Sequence, residues 1–186
     1  IKKAMENPIG SAPLHELAKD KNKVVILADD ATRPTPSSLI IPQMISEIRR
    51  GNPSADISIL IACASRNMIT KDELIRKFGK EISETEKIYI HNCDSSALCN
   101  IRTLPSGSSC EINKLAADAD LLIAEGVIAP HYIGGFSGGG ESVLPGIAGR
   151  KTIFRNHCDK FVSDKFAKPG TTLCNPFHTD SLYAAK

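Results

Sequence analysis

Short, β-branched apolar runs recur along this chain, each ending in a polar cluster and followed by a stretch of helical period. Residues 23–28 (KVVILA) and 56–63 (DISILIAC) have the length and near-continuous hydrophobicity of strands buried on both faces of a parallel sheet. Residues 87–91 and 120–125 (DLLIAE) are shorter versions of that pattern, and 100–104 reads as a further short strand. Between them lie helices. One covers about residues 38–50 and closes at Gly51, with Pro42 near its first turn, where a missing N–H costs little. Another opens on a capping box, Thr70 with Glu73, and stops at Gly79. Residues 14–19, 111–117 and 150–156 also read as helical, and a last helix opens with Asn175 as N-cap and Pro176 at its first position. The alternation predicts one α/β domain over residues 1–186: an open, mostly parallel sheet with helices on both faces, Rossmann-like.

The polar clusters all fall just after strands: Asp30, Thr32 and Arg33; Ser65, Arg66 and Asn67; His91 and Asp94; His131 and Ser137. Carboxyl ends of parallel strands share one edge of a sheet, and ligands bind there, so residues distant in sequence are expected to converge. The stretch 131–149, HYIGGFSGGGESVLPGIAG, is too rich in glycine for a helix or strand. Consecutive N–H groups in such turns form a concavity for anions, to which Ser137, Gly138 and Gly139 contribute. Arg33, stiffened by neighbouring prolines, offers a planar fork for a carboxylate or phosphate, or pairs with Asp29 or Asp30. His131 stands before the glycines as a ligand or proton carrier. His157, after a helix, is either a cation at the helix C-terminus or a ligand. His15, His91 and His178 are assigned to structure.

Composition narrows the classes. Hydrophobic residues make up 41% and charged residues 24%, which excludes disorder. No apolar run approaches the roughly 20 residues that span a bilayer, and no basic-then-apolar leader opens the chain. A net charge of +2 and 5% aromatics give no footprint for nucleic acid. None of the six cysteines falls in a CxxC, so reduced thiols in a cytoplasmic protein are expected. A zinc site built on His91 with Cys93, or His157 with Cys158, lacks four closing ligands. The start at Ile1 and the stop at Lys186 inside a helix read as a piece cut from a longer protein.

The motif DDATRPTP after the first strand, the glycine block ending LPGIAG, the RNH that follows and the final NPFH together resemble the nickel-dependent lactate racemase family over nearly the whole chain. The resemblance implies the larger N-terminal domain, with a C-terminal domain missing and the active site between the two. It implies racemisation or epimerisation of a 2-hydroxy acid by a nickel-pincer nucleotide, which takes hydride from the substrate carbon while a histidine takes the hydroxyl proton. Asp30, Thr32 and Arg33 match the family's motif for cofactor and substrate, and His131 matches one of two catalytic histidines. Ser137 and its glycines match the phosphate cradle, and His157 matches the nickel ligand.

Two positions depart from the pattern. Ser65 stands where the family has its other catalytic histidine, and Glu141 where it has the lysine that tethers the cofactor. Serine has no pKa near neutrality, and a carboxyl cannot form the thioamide, so the nucleotide is expected to bind noncovalently. A non-catalytic paralogue that binds a nucleotide or hydroxy acid is the alternative. Glu141 is expected at the rim of the cradle, exposed or paired with Arg150 or Lys151.

Overall fold

The computed structural model describes residues 1–66 and 69–186, so Asn67 lies outside the described residues. The elements, in order, are α1 (Lys2–Glu6), α2 (Leu14–Leu17), β1 (Lys23–Asp29), α3 (Ser37–Gly51), β2 (Asp56–Ala62), α4 (Lys71–Phe78), α5 (Lys80–Thr85) and β3 (Lys87–Ile90). They continue with β4 (Leu98–Thr103), β5 (Ser109–Asn113), α6 (Lys114–Ala117), β6 (Leu121–Ala124), β7 (Pro130–His131) and β8 (Gly135–Phe136). A 3-10 turn (Gly139–Ser142), α7 (Arg150–Asn156), α8 (Asp159–Val162) and α9 (Pro176–Ala184) complete the order.

Among the described residues, four strands form a parallel sheet in the order β3-β2-β1-β6. β1 is central, with Val24 opposite Ile57 on one side and Leu121 on the other. Val24 to Ala28 are all buried, as a strand covered on both faces requires. Val24, Ile26 and Ala28 point to one core, where Ile41, Met44, Ile45 and Ile48 of α3 meet them. Those four sit at i, i+3, i+4 and i+7, the stripe of an amphipathic helix. Val25 and Leu27 point to the other core, built from the β4–β5 ribbon, α6, the turn 143–148 and α7. The architecture is the α/β class expected, with that second face covered by a ribbon as well as by helices.

Two local expectations are corrected. Pro42 is the sixth residue of α3, past the first turn. Its i−4 neighbour Ser38 is exposed, so the carbonyl left without a donor has water within reach. Residues 111–113 are strand, and the helix there is the single turn Lys114–Ala117. Cys110 and Ile112 are buried while their neighbours are less so, a period of two that pairs this segment with β4, and Asn113 then caps α6 by accepting from Leu115 N–H. The short strand expected near residue 100 is present as β4, and it belongs to this ribbon.

The capping box of α4 is present: Thr70 Oγ1 accepts from Glu73 N–H, and Glu73 accepts from Thr70 N–H at 2.8 Å. It matters because α4 carries Lys77, which reaches the loop after β1. Thr70→Ala should lower stability by about 1 kcal/mol, read as a lower urea midpoint at unchanged slope.

Candidate functional site

The loops after β1, β2 and β6 meet at the carboxyl edge of the sheet. Asp29 ends β1; its Oδ2 accepts from Thr35 Oγ1 at 2.5 Å and from Val127 N–H at 3.4 Å. The next carboxylate, Asp30, is buried; its Oδ1 accepts from the N–H of Thr32 at 2.9 Å and from the Thr32 hydroxyl. Its Oδ2 pairs with Arg66 at 2.9 Å, and Arg66 also donates to Thr32 Oγ1 at 2.9 Å. Arg66, not Arg33, therefore holds Asp30. From below, Lys77 donates its ammonium to Arg33 O at 3.1 Å and Thr35 O at 3.0 Å. Burial pulls the Lys77 pKa down, with the Glu125, Asp29 and Asp30 carboxylates acting the other way. Ser37 donates to Glu125, whose carboxyl is pushed up by burial. The Arg33 backbone is thus fixed at both ends while its side chain stays exposed.

The glycine stretch forms the facing wall. β7 and β8 pair as a hairpin, with His131 opposite Gly135. The Ser137 hydroxyl donates to Val127 O at 2.8 Å and accepts from Ala129 N–H at 3.1 Å, so it fastens the loop to the segment after β6. Gly138 has φ 85°, in the left-handed region open to glycine, and Gly139 follows at φ 56°. Ala64 N–H donates to Gly146 O at 2.8 Å, joining the loop after β2 to this wall.

Between the walls lies a cleft of about 200 Å³ lined by Asp29, Arg33, Arg66, Ser137, Gly138 and Glu141, among others. Of the residues singled out from sequence, Arg33, Ser137 and Gly138 reach it. Asp30 and Thr32 lie beneath, bonded to its Arg66 wall, and Gly139 sits exposed on the turn beyond. Ser65 is exposed, between the lining residues Ala64 and Arg66.

His131 and His157 flank Phe177, which is buried. The His131 ring stacks on it at 5.9 Å between centroids, and His157 meets it edge-on at 4.8 Å. Nδ1 of His157 lies 3.1 Å from Ile153 O; a carbonyl only accepts, so Nδ1 carries the proton and Nε2 the lone pair. Burial holds the His157 pKa below the ordinary imidazole value, which favours the neutral ring over a helix-terminal cation. Nδ1 of His131 lies 3.0 Å from Gly134 N–H, which only donates, so in the neutral ring the proton sits on Nε2. Burial, then Arg33 and His157, hold the His131 pKa down. Among the described residues no group of three or more His, Cys, Asp or Glu side chains is arranged to hold a metal.

Glu141 departs from its expected place at the rim. Its side chain is 13% exposed and lines the cleft, and its Oε1, buried without a hydrogen-bond partner among the described residues, lies 3.9 Å from His131 Nδ1. The turn at Gly138 and Gly139 directs residue 141 inward, over Gly134. Arg150 is engaged elsewhere, by both oxygens of Asp94 at 2.6 Å each. Burial pushes the Glu141 carboxyl up to about 7, with Arg33 acting the other way.

A parallel α/β sheet whose strand-end loops wall a cleft places this chain in the α/β class whose members bind ligands at that edge. The model of the lactate racemase N-terminal domain matches residues 1–168. The whole chain is 46% identical to the lactate racemases of Thermoanaerobacterium thermosaccharolyticum and Lactiplantibacillus plantarum, and spans 44% of the length of each. It superposes on the lactate racemase apoprotein from Thermoanaerobacterium thermosaccharolyticum with a TM-score of 0.97, over 99% of this chain and 44% of that one. A protein from Thermotoga maritima shares the fold at 22% identity and a TM-score of 0.77, over 98% of this chain and 46% of that one. The chain belongs to the lactate racemase family, as the N-terminal domain.

Lys77, Glu125, Ser37 and Phe177 were not singled out from sequence. Glu125 carried a signal, since it ends an apolar strand as Asp29 does; the burial of Lys77 carried none, because it depends on where α4 docks. Because the folded Glu141 carboxyl titrates near 7 against about 4.5 unfolded, the native state binds more protons between those values. Stability therefore falls as pH rises through this window, by on the order of 3 kcal/mol. Glu141→Gln should remove most of that decline, leaving the variant more stable than wild type at pH 8 and similar at pH 4.5, as read by denaturant melts at both values.

Proposed function

We propose that this chain is the N-terminal half of a racemase or epimerase of 2-hydroxy acids, and that it holds a nickel-pincer nucleotide without a covalent tether. The observation that supports this most is His157. Its ring is neutral, its Nδ1–H is committed to Ile153 O, and its Nε2 lone pair is available, which is the state of a metal-ligating histidine. One imidazole suits a nickel ion whose other donors arrive with the nucleotide, and agrees with the lack of a three-donor protein cluster among the described residues. At position 141, a carboxyl that takes up a proton near pH 7 is compatible with a neighbouring phosphate, while it cannot tether one.

The remaining roles follow from chemistry. N–H groups at Gly138 and Gly139 receive the nucleotide phosphate, with Ser137 holding the loop in shape. Asp30 and Thr32, locked by Arg66, set the cofactor edge of the cleft. Arg33 offers its fork to the substrate carboxylate, and His131 takes the hydroxyl proton. The bound nucleotide supplies reversible acceptance of hydride from the substrate carbon. The part of the relatives' length that this chain does not span closes the cleft from the other side.

A second reading, a non-catalytic binding paralogue, draws on Ser65 standing exposed and on Glu141 at the tether position. One experiment separates the two. Full-length protein made with the cofactor-building enzymes should carry nickel near one equivalent, and a nucleotide that dissociates on denaturation. It should interconvert the enantiomers of lactate or another 2-hydroxy acid. His157→Ala should lose the nickel at unchanged circular dichroism. Absence of both nickel and nucleotide overturns the proposal, and a bound nucleotide without stereochemical exchange establishes the second reading.

A further inference from the structure

We propose that Glu141 is a positioning residue for His131, whose carboxylate takes the Nδ1–H of the imidazole and so makes Nε2 the proton acceptor. The chemical use of this pair rests on the racemase reading; its geometry does not.

The observations are local. With Gly134 N–H bonded to Nδ1, neutral His131 carries its proton on Nε2, a donor that cannot accept a proton from a substrate hydroxyl. A base at Nε2 requires the other tautomer, and that tautomer requires an acceptor for Nδ1–H. Glu141 Oε1 is 3.9 Å from Nδ1 and has no other hydrogen-bond partner among the described residues. Both atoms border the space left by the missing side chain of Gly134. A Cβ there would collide with Glu141 Oε1 and lie 3.1 Å from His131 Nδ1 and 2.9 Å from Phe177 Cε1. An approach of about 1 Å by the carboxyl end brings the pair to hydrogen-bonding distance.

The proton count is explicit. Starting from a protonated Glu141 and the Nε2–H tautomer, the carboxyl proton passes to Nδ1, which gives up its bond from Gly134 N–H, and the Nε2 proton leaves to solvent, so one proton is released on forming the carboxylate–Nδ1–H pair. A substrate hydroxyl then gives its proton to Nε2, and the resulting imidazolium is held by the carboxylate. The charged and titratable groups facing the pair are Tyr132 beside His131, Asp29 at the end of β1 and Arg33 after it, Arg66 after β2, and His157 beyond Phe177. Arg33 favours the carboxylate and opposes the imidazolium, so it biases the pair toward a neutral ring with Nε2 unprotonated.

The test uses full-length protein with 15N-labelled histidine. Long-range 1H–15N spectra at pH 8 should show His131 protonated at Nδ1 in wild type and at Nε2 in Glu141→Leu. Gly134→Ala, which keeps the carboxylate but puts a methyl between it and the ring, should also revert His131 to Nε2. With lactate as probe and cofactor loaded, Glu141→Leu should lower kcat at least 100-fold with KM within a few-fold of wild type, since Arg33 still binds the substrate. Identical spectra in wild type and Glu141→Leu overturn the proposal, as does an unchanged kcat. If wild type does not turn over lactate, the spectra alone decide it, and a shift between the tautomers then supports the pair while counting against the racemase reading.

Discussion

Two adjacent carboxylates at the end of β1 set the terms for everything above the sheet. A poorly hydrated carboxylate must find donors, and Asp29 and Asp30 find them in different segments. Asp29 takes the Thr35 hydroxyl and Val127 N–H, which draws the segment after β6 over the end of β1. Asp30 takes Thr32 and Arg66, which brings in the loop after β2. These hydrogen bonds and the Asp30–Arg66 ion pair bring together the three loops that wall the cleft. The same bonds leave the Arg33 side chain unclaimed by either carboxylate and open to the cleft.

A second constraint acts on the facing wall. The Phe177 ring, buried at the start of α9, separates the two histidines and covers part of each. Burial favours neutral imidazole in each, and the backbone then selects the tautomer: a carbonyl for His157, an N–H for His131. Opposite tautomers on either side of one ring leave a lone pair at Nε2 of His157 and a proton at Nε2 of His131, and that proton must go before His131 can act as an acceptor. A single acyl carbon and its two oxygens at Glu141 complete this arrangement, occupying space that only glycine at 134 leaves.

The family membership and the departures from its pattern belong together. At 46% identity and a TM-score of 0.97 to the lactate racemase apoprotein, the backbone scaffold is retained, and the glycine hairpin with it. The departures that the resemblance implies, at Ser65 and Glu141, are points of chemistry on that scaffold. Their consequences are local because each sits on a loop whose course is set by other residues, Ala64 to Gly146 in one case and Gly138 to Gly139 in the other.

Much of the architecture was legible in the chain itself. Apolar runs of strand length, a capping box at Thr70, an N-cap at Asn175 and the punctuation at Gly79 are local signals with local causes, and the elements follow them closely. The convergence of Arg33 with Ser137 and Gly138 was legible too, because parallel strands place their ends on one edge. Residues 111–113 were misread as helix because the period of two in this segment emerges only against the partner strand β4. Glu141 was misplaced for a related reason. Sequence assigns a carboxylate to water, whereas its real position follows from a left-handed turn that aims it over Gly134 and from Asp94 having taken Arg150. Local propensity and periodicity are properties of the chain; which polar groups lose their water, and which find each other when they do, is decided only when distant segments pack.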